Sequence, residues 1–344
     1  MEENKEISAE PHQHAQHQEQ KKENKAEHHK IEPKKESPKK SLKQVIFEIY
    51  DKKYKTLLII PFLILALALA QIGYQIYSTG DFMNRDVSLK GGVTVTVPYE
   101  KETDVGQLEK QISSQFQKND VSVRTLRSTG AVVGVIVEAD IDGNDKAQVD
   151  KLLKSIESSL KIDLGKVDYG IEIIGSSLGA SFFRESLIAL AVAFLFMGLV
   201  VLIYFRTFIP SIAIILAAFS DMVVALAAIN LMDIRIGTAG IAAFLMLIGY
   251  SVDTDILLTV RVLKRKEGNV MDRVLSSIKT GMTMTITAII SVIVALSVTQ
   301  SEVIRQIMLI LLIGLIADIF FTWILNVGLL RIYIERKAKK GITI

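Results

Sequence analysis

The sequence predicts an α-helical integral membrane protein with six transmembrane helices and a small extracytoplasmic α+β domain. Three observations predict it. Half of the 344 residues are hydrophobic, although the first forty are almost wholly polar, so the remainder is too apolar for one water-soluble globule. Six apolar stretches lie near 57–77, 187–205, 208–232, 236–258, 283–299 and 304–330, and about 20 such residues cross roughly 30 Å of hydrocarbon. The segment of about 78–186 between the first two mixes strand and helix periodicities, as a folded domain does.

The elements follow in chain order, and they divide the sequence at 1–45, 46–80, 81–180, 181–335 and 336–344. Residues 1–45 form a charged cytoplasmic tail, rich in Lys, Glu, Gln and His. It buries too little apolar area to offset its ordering entropy. His12, His14, His17, His28 and His29 lie here, and nothing fixes them in a ligand geometry, so a solvated tail is the expectation and no metal or cofactor is implied. Residues 46–80 hold the first transmembrane helix with its flanks. Ala66, Ala68 and Ala70 imitate a signal-peptidase site, but the apolar run continues through Ile76 and Tyr77, as in a retained anchor.

Residues 81–180 form the α+β domain. Val93–Val97 alternates as a strand, and Asp104–Phe116 has helical spacing with Asp104 as its cap. Val121–Leu126 and Val132–Val137 read as a hairpin about Ser128-Thr129-Gly130. Asn144–Leu160 is a second amphipathic helix, and Val167–Ile174 a closing strand. The order β-α-β-β-α-β is the split βαβ, or ferredoxin-like, arrangement. Residues 181–335 hold five more transmembrane helices, the fifth span of the six being marginal in length, and 336–344 is a basic tail.

Orientation follows from Lys and Arg in the short loops. Lys52, Lys53, Lys55, Arg206, Arg261, Lys264, Arg265, Lys266, Arg273, Lys279 and the cluster Arg331–Lys340 fall on one side if there are six spans. Only Arg235 and Glu302 flank the other side. Both termini are therefore expected in the cytoplasm.

The chain has no cysteine, which excludes disulfides, thiolate metal sites and a cysteine nucleophile. With every histidine in the tail, a histidine-based hydrolase is excluded too. A net charge of +3 gives no case for nucleic acid, and no glycine-rich phosphate loop is present. The chemistry lies in acids within spans, each costing about 2.5–3.5 kcal/mol at mid-helix. Asp221 and Asp318 fall near mid-membrane, Asp253 and Asp255 in the cytoplasmic third. Four acids without histidine suit a proton or cation relay built on carboxylates, because burial disfavours the charged form.

Asp253 and Asp255 diverge by about 200° on a helix, so one of them faces any given neighbour. Asp253 shares its face with Gly249 and Met246, and a glycine permits close helix approach. Asp255 shares its face with Ser251 and Thr259. The expectation is Asp253 in the helix interface and Asp255 nearer the cytoplasmic mouth. Lys279 opens the fifth span on the same membrane side, within reach of a Lys–Asp pair or serving as a flanking charge. Thr280, Thr283, Thr287 and Ser291 recur at helical spacing and suit hydrogen bonds to their own backbone or to a neighbouring helix, a packing role, with a proton wire as the other reading.

Two stretches go beyond generic inference. Asp86-Val-Ser-Leu89-Lys90-Gly91-Gly92 resembles a signature of the SecD/SecF protein-export membrane proteins. Gly249-Tyr-Ser-Val-Asp-Thr-Asp255, followed by Arg261, is similar to that family's fourth-span signature, and Arg273–Thr287 occupies the place of its polar fifth span. One outer domain and the Asp253–Asp255 spacing look like an archaeal SecF-type subunit. The resemblance implies a SecD-type partner, the Sec protein-conducting channel, a translocating polypeptide, membrane lipid around the spans and use of the proton-motive force. It also implies kinship with resistance-nodulation-division exporters. Asp253 matches the intramembrane acid of the SecD motif, Thr254 stands where bacterial SecF has Asp, and Lys279 stands where the family often has Arg. A small-solute or lipid exporter, usually twice this length, and an assembly subunit whose acids merely pair helices are the other readings.

Overall fold

The computed structural model describes residues 50–116, 121–128, 131–264, 269–299 and 301–340. The charged tail, its histidines, the hairpin tip at 129–130 and the last four residues lie outside them. After a helical turn at Tyr54–Leu57, the elements are α1 (Ile59–Thr79), α2 (Val87–Lys90), β1 (Gly92–Pro98), α3 (Val105–Ser113), β2 (Val121–Ser128), β3 (Ala131–Ala139), α4 (Lys146–Leu160) and β4 (Gly170–Ile174). The chain continues as α5 (Ser176–Phe205), α6 (Phe208–Leu231), α7 (Thr238–Lys264), α8 (Val270–Val298), α9 (Glu302–Phe320), a π-helical segment (Phe321–Asn326) and α10 (Val327–Lys339).

Six helices are long and apolar enough to cross a membrane, the last being α9, the π segment and α10 taken together. Local signals set their ends. α5 stops where Arg206 turns left-handed at φ +52°. α6 starts with Pro210 in its first turn, where a missing N–H costs no helical bond. Asn269 and Asp272 cap α8 reciprocally, and Ser301 caps α9.

Two spans exceed their expected length. α5 begins at Ser176, eleven positions before the apolar run at 187, and so projects into the α+β domain. α8 has 29 residues, and the span that looked marginal is comfortable. Thr283, Thr287 and Ser291 each donate to the carbonyl four residues earlier, at 2.8–2.9 Å. Hydropathy counts those hydroxyls as polar, whereas here their hydrogen-bonding demand is met within the helix.

Small residues decide which spans go inside. The apolar windows of α6 and α7 are each 56% buried and that of the last span 50%, against 6% for α5. α6 buries Ala217, Ala225 and Ala227 in the bundle, and Gly314 of α9 admits Leu247 of α7. α5, α8 and much of α1 form the outer ring.

The α+β domain is a four-stranded antiparallel sheet in the order β2-β3-β1-β4, as the split βαβ pattern predicts. Val93, Val95, Val97, Val123, Val135 and Val137 point to one face, where α3 and α4 cover them with Leu108, Ile112, Leu152 and Ile156. β4 is shorter than the expected 167–174. Its ladder with β1 ends at Thr96–Gly170, and Pro98 in β1 has no N–H to extend it. The opposite face carries Thr94, Thr96, Arg124, Glu138 and Glu172 and turns toward the ends of α7 and α9.

Candidate functional site

The inner helices bring three carboxyls together. α6 supplies Asp221, α7 supplies Ser251, Asp255 and Thr259, α9 supplies Asp318, and the π segment supplies Thr322 and Asn326; each is wholly buried. Ser251 Oγ donates to Asp221 Oδ2. Thr322 Oγ1 lies 2.8 Å from both Asp255 Oδ1 and Asp318 Oδ1. Asn326 Nδ2 donates to Asp255 Oδ1 at 2.8 Å. The second oxygens, Asp221 Oδ1, Asp255 Oδ2 and Asp318 Oδ2, have no hydrogen-bond partner, nor do Asn326 Oδ1 and Thr259 Oγ1. Among the described residues, none of the ion pairs involves these acids. The charged groups that face them are one another.

This reverses the expectation for the fourth span. Asp255, placed by the sequence at a hydrated mouth, is buried with Ser251 and Thr259 on one face of α7. Asp253, expected in the interface, is exposed on the surface of the chain. The glycine argument selected the wrong side: nothing lies within 4 Å of the Cβ position of Gly249, whereas Gly314 on α9 receives Leu247 from the Asp255 face. Close approach is provided by the partner helix.

Of the two readings of Lys279, the Lys–Asp pair is absent among the described residues. Lys279 is exposed and forms no ion pair with Asp253 or Asp255. Two other cations tie α7 to α8: Arg261 Nη1 donates to Ser276 O and Thr280 Oγ1, both at 2.8 Å, and Arg273 Nη1 donates to Val262 O at 2.8 Å. The hydroxyl stripe of α8 lines an open groove of about 650 Å³ with Met246 and Tyr250 of α7.

Thr322 and Asn326 escaped the sequence reading. A signal existed, since Asp318, Thr322 and Asn326 fall at i, i+4 and i+8 within an otherwise apolar run and so share one helix face.

The second cluster surrounds the Asp86–Gly92 signature. Asp86 Oδ1 caps α2 by accepting from Ser88 N at 2.8 Å and also accepts from Ser88 Oγ. Leu89 is fully buried in the bundle core, and Lys90 closes the helical turn. Gly91 adopts φ +88°, and a Cβ there would meet Ser176 Cα of α5 at 2.4 Å; one on Gly179 would meet Gly91 N at 2.4 Å. A Cβ on Gly92 would meet Ala139 O at 2.5 Å. Asp86 N donates to Ile236 O at 3.1 Å, Ser88 Oγ accepts from Thr238 N at 3.1 Å, and Gln306 of α9 brackets the same loop through Gly237 N and Arg235 O. The signature is therefore a joint. It seats the sheet on the adjoining ends of α5, α7 and α9.

Beside the joint lies a cleft of about 280 Å³ under the polar sheet face. Glu138 is buried there against Arg124, and desolvation, outweighing the attraction of Arg124, pushes its carboxyl above the usual range. A buried acid with a raised value contributes stability that is full below its unfolded value of 4.5 and is lost as pH rises through the folded value. Glu138→Gln should therefore make the domain more stable at neutral pH and flatten its pH dependence. Arg124, about one-third exposed, loses little when left unpaired. Urea unfolding of the full chain in lipid nanodiscs, read by a fluorophore at exposed Lys154, checks this; a less stable variant at neutral pH would refute it.

Comparisons with known proteins bear on both clusters. The family profile described as protein export membrane protein SecD/SecF, C-terminal, matches residues 154–336. The protein-export membrane protein SecF of Methanocaldococcus jannaschii is 37% identical over 296 residues, covering 84% of this chain and 99% of the relative. SecF of Methanothermobacter thermautotrophicus is 37% identical over 83% of this chain and 95% of its own, and that of Pyrococcus furiosus 33% identical over 83% and 93%. The crystal structure of SecDF, a translocon-associated membrane protein from Thermus thermophilus, superposes with a TM-score of 0.62 at 17% identity, over 82% of this chain and 38% of that one. That last likeness concerns the fold alone: six spans with an α+β domain between the first two. With relatives matched over almost their whole length and the family profile spanning more than half of the chain, this multi-pass membrane protein belongs to the SecF family of protein-export membrane proteins.

Proposed function

We propose that this chain is the proton-driven SecF-type subunit that assists late export of polypeptides through the Sec channel, working with a SecD-type subunit. In this reading it sits in the cytoplasmic membrane of an archaeal-type prokaryote with both termini inside, so that the α+β domain meets the emerging polypeptide. It transports without covalent catalysis or a cofactor. The observation that carries the reading is three carboxyls buried on three helices, bridged by hydroxyls and paired with no cation among the described residues. Structural acids of this kind would be expected to bring a counter-charge; acids that exchange protons with the two sides do not need one. Asp221, Asp255 and Asp318 carry the proton here. Asp253 and Lys279, both exposed on this chain, face the SecD-type subunit and complete the relay across that interface. The glycine joint passes any shift of α5, α7 and α9 to the sheet.

The test is translocation of a secretory precursor into inverted membrane vesicles containing the chain with its SecD-type partner, with and without a proton gradient. Asp255→Asn keeps the side chain's shape and is expected to bring export down to the level seen with the gradient collapsed. If the acids only hold helices together, Asp255→Asn would weaken the complex while full gradient dependence persists, and that result defeats the proposal.

A further inference from the structure

Counting hydrogens around Thr322 constrains where a proton sits. The hydroxyl has one hydrogen and lies 2.8 Å from a carboxyl oxygen on each side, Asp255 Oδ1 and Asp318 Oδ1. It donates to one of them. The contact on the other side is a hydrogen bond only if that carboxyl is protonated and donates to the hydroxyl's lone pair. Asp255 Oδ1 already accepts from Asn326 Nδ2, which marks it as the acceptor. The arrangement that makes both contacts of the hydroxyl hydrogen bonds runs from Asp318 O–H to Thr322 Oγ, and from Thr322 O–H to Asp255 Oδ1.

We infer that Thr322 is a proton bridge: Asp318 holds a proton on Oδ1 and passes it through the Thr322 hydroxyl to Asp255. The step balances without a co-reactant. Asp318 Oδ1 releases its proton to Thr322 Oγ as the hydroxyl's own proton moves to Asp255 Oδ1. Asp318 ends ionised and Asp255 neutral. The titratable groups facing the bridge are Asp221 on α6 and Asp255 on α7, with Ser251 of α7 also within interaction range of Asp318. Ser251 is bound to Asp221, so the oxygens fall in the order Asp221, Ser251, Asp318, Thr322, Asp255. The orphaned oxygens Asp318 Oδ2 and Asp255 Oδ2 stand at the two ends of the bridge, where a proton would arrive and leave. Thr322 and Asn326 both lie in the π-helical segment, a backbone form that recurs at functional sites.

The inference rests on the proton-driven reading for its purpose but not for its geometry, and infrared spectroscopy of the full chain in lipid separates the two. A component of the carboxylic C=O stretch should be present in the parent protein and lost in Asp318→Asn. It should shift in Thr322→Val, which removes the hydroxyl at constant shape, and return to the parent position in Thr322→Ser. Thr322→Val should also abolish gradient-driven export, and Thr322→Ser should restore it. A carboxylic component unaffected by both Asp318→Asn and Thr322→Val overturns the bridge, even if Asp255→Asn shows that export is proton-driven. The expected infrared pattern with gradient dependence intact in both Thr322→Val and Asp255→Asn upholds the bridge and rejects the functional reading instead.

Discussion

Gly91→Ala should separate the α+β domain from the membrane bundle while leaving each folded. Gly91 has φ +88° and ψ 164°, a region open essentially to glycine and costing other residues about 1–3 kcal/mol. The new methyl would also sit 2.4 Å from Ser176 Cα and 2.6 Å from Ser176 N. Both are backbone atoms that no rotamer change can move, and overpacking of this kind costs about 1–3 kcal/mol. The sum, about 2–6 kcal/mol, is large against the 5–15 kcal/mol that holds a typical domain folded. Hydrogen exchange of the full chain in nanodiscs should show protection lost at Val87–Gly92 and in the first two turns of α5. Amides of α6 and α9 should be unchanged. Gly179→Ala meets Gly91 N at 2.4 Å from the other side of the contact and should give the same pattern. Gly73→Ala is the control: it is exposed in α1 with nothing within 4 Å, and should stabilise by about 0.5–1 kcal/mol. If the joint transmits the proton-driven shift, Gly91→Ala uncouples export from the gradient while proton flux continues. Retained protection at Val87–Gly92 would show that the glycine is dispensable.

The parts of this architecture that were legible in the sequence depend on one element at a time. Span length, the alternation of Val93–Val97, the cap at Asp104, and the mid-membrane acids Asp221 and Asp318 all follow from composition and periodicity. The face of α7 that turns inward depends on two elements together. Periodicity separates Asp253 from Asp255 by about 200° but is symmetric between them, and the choice is made by Gly314 on α9 opposite Leu247. Gly249 looked like the close-approach residue because a glycine's neighbour is invisible in a single sequence. Thr322 was equally hidden. Its place on the Asp318 face is a local fact, but its meaning comes from Asp255 Oδ1 at 2.8 Å across a helix pair 67 residues apart in sequence. The length of α8 misleads in the other direction. The apolar run begins at 283, whereas the helix begins at Val270 behind the reciprocal cap of Asn269 and Asp272, so hydropathy sees only its second half.

A second large effect is expected at a position carrying no functional group. Gly281 of α8 lies against the indole of Trp323, and a Cβ there would meet Trp323 Cζ2 at 2.3 Å and Cη2 at 2.5 Å. Trp323 is 5% exposed, its carbonyl accepts from Tyr50 Oη at 2.6 Å, and it follows Thr322 directly in the π segment. The ring has little room to retreat, so Gly281→Ala should displace the backbone that sets Thr322 between Asp318 and Asp255. Overpacking here costs about 1–3 kcal/mol in stability, but the functional loss should be larger. A shift of about 1 Å breaks the two 2.8 Å contacts of Thr322, since hydrogen bonds weaken steeply beyond about 3.2 Å. Gradient-driven export should fall to the uncoupled level with every acid in place. The Gly91 contact is backbone against backbone and offers no second-site repair. The Gly281 contact is backbone against a side chain and does. Trp323→Phe removes the atoms that a methyl at 281 would strike, so the double variant Gly281→Ala/Trp323→Phe should recover most of the export that Gly281→Ala loses. Trp323→Phe alone leaves a cavity and costs stability, as large-to-small core changes do, without abolishing the gradient effect. The cycle measures the coupling of the two positions directly. Additive losses would mean that the π segment tolerates displacement and that Thr322 is held in place by its own hydrogen bonds.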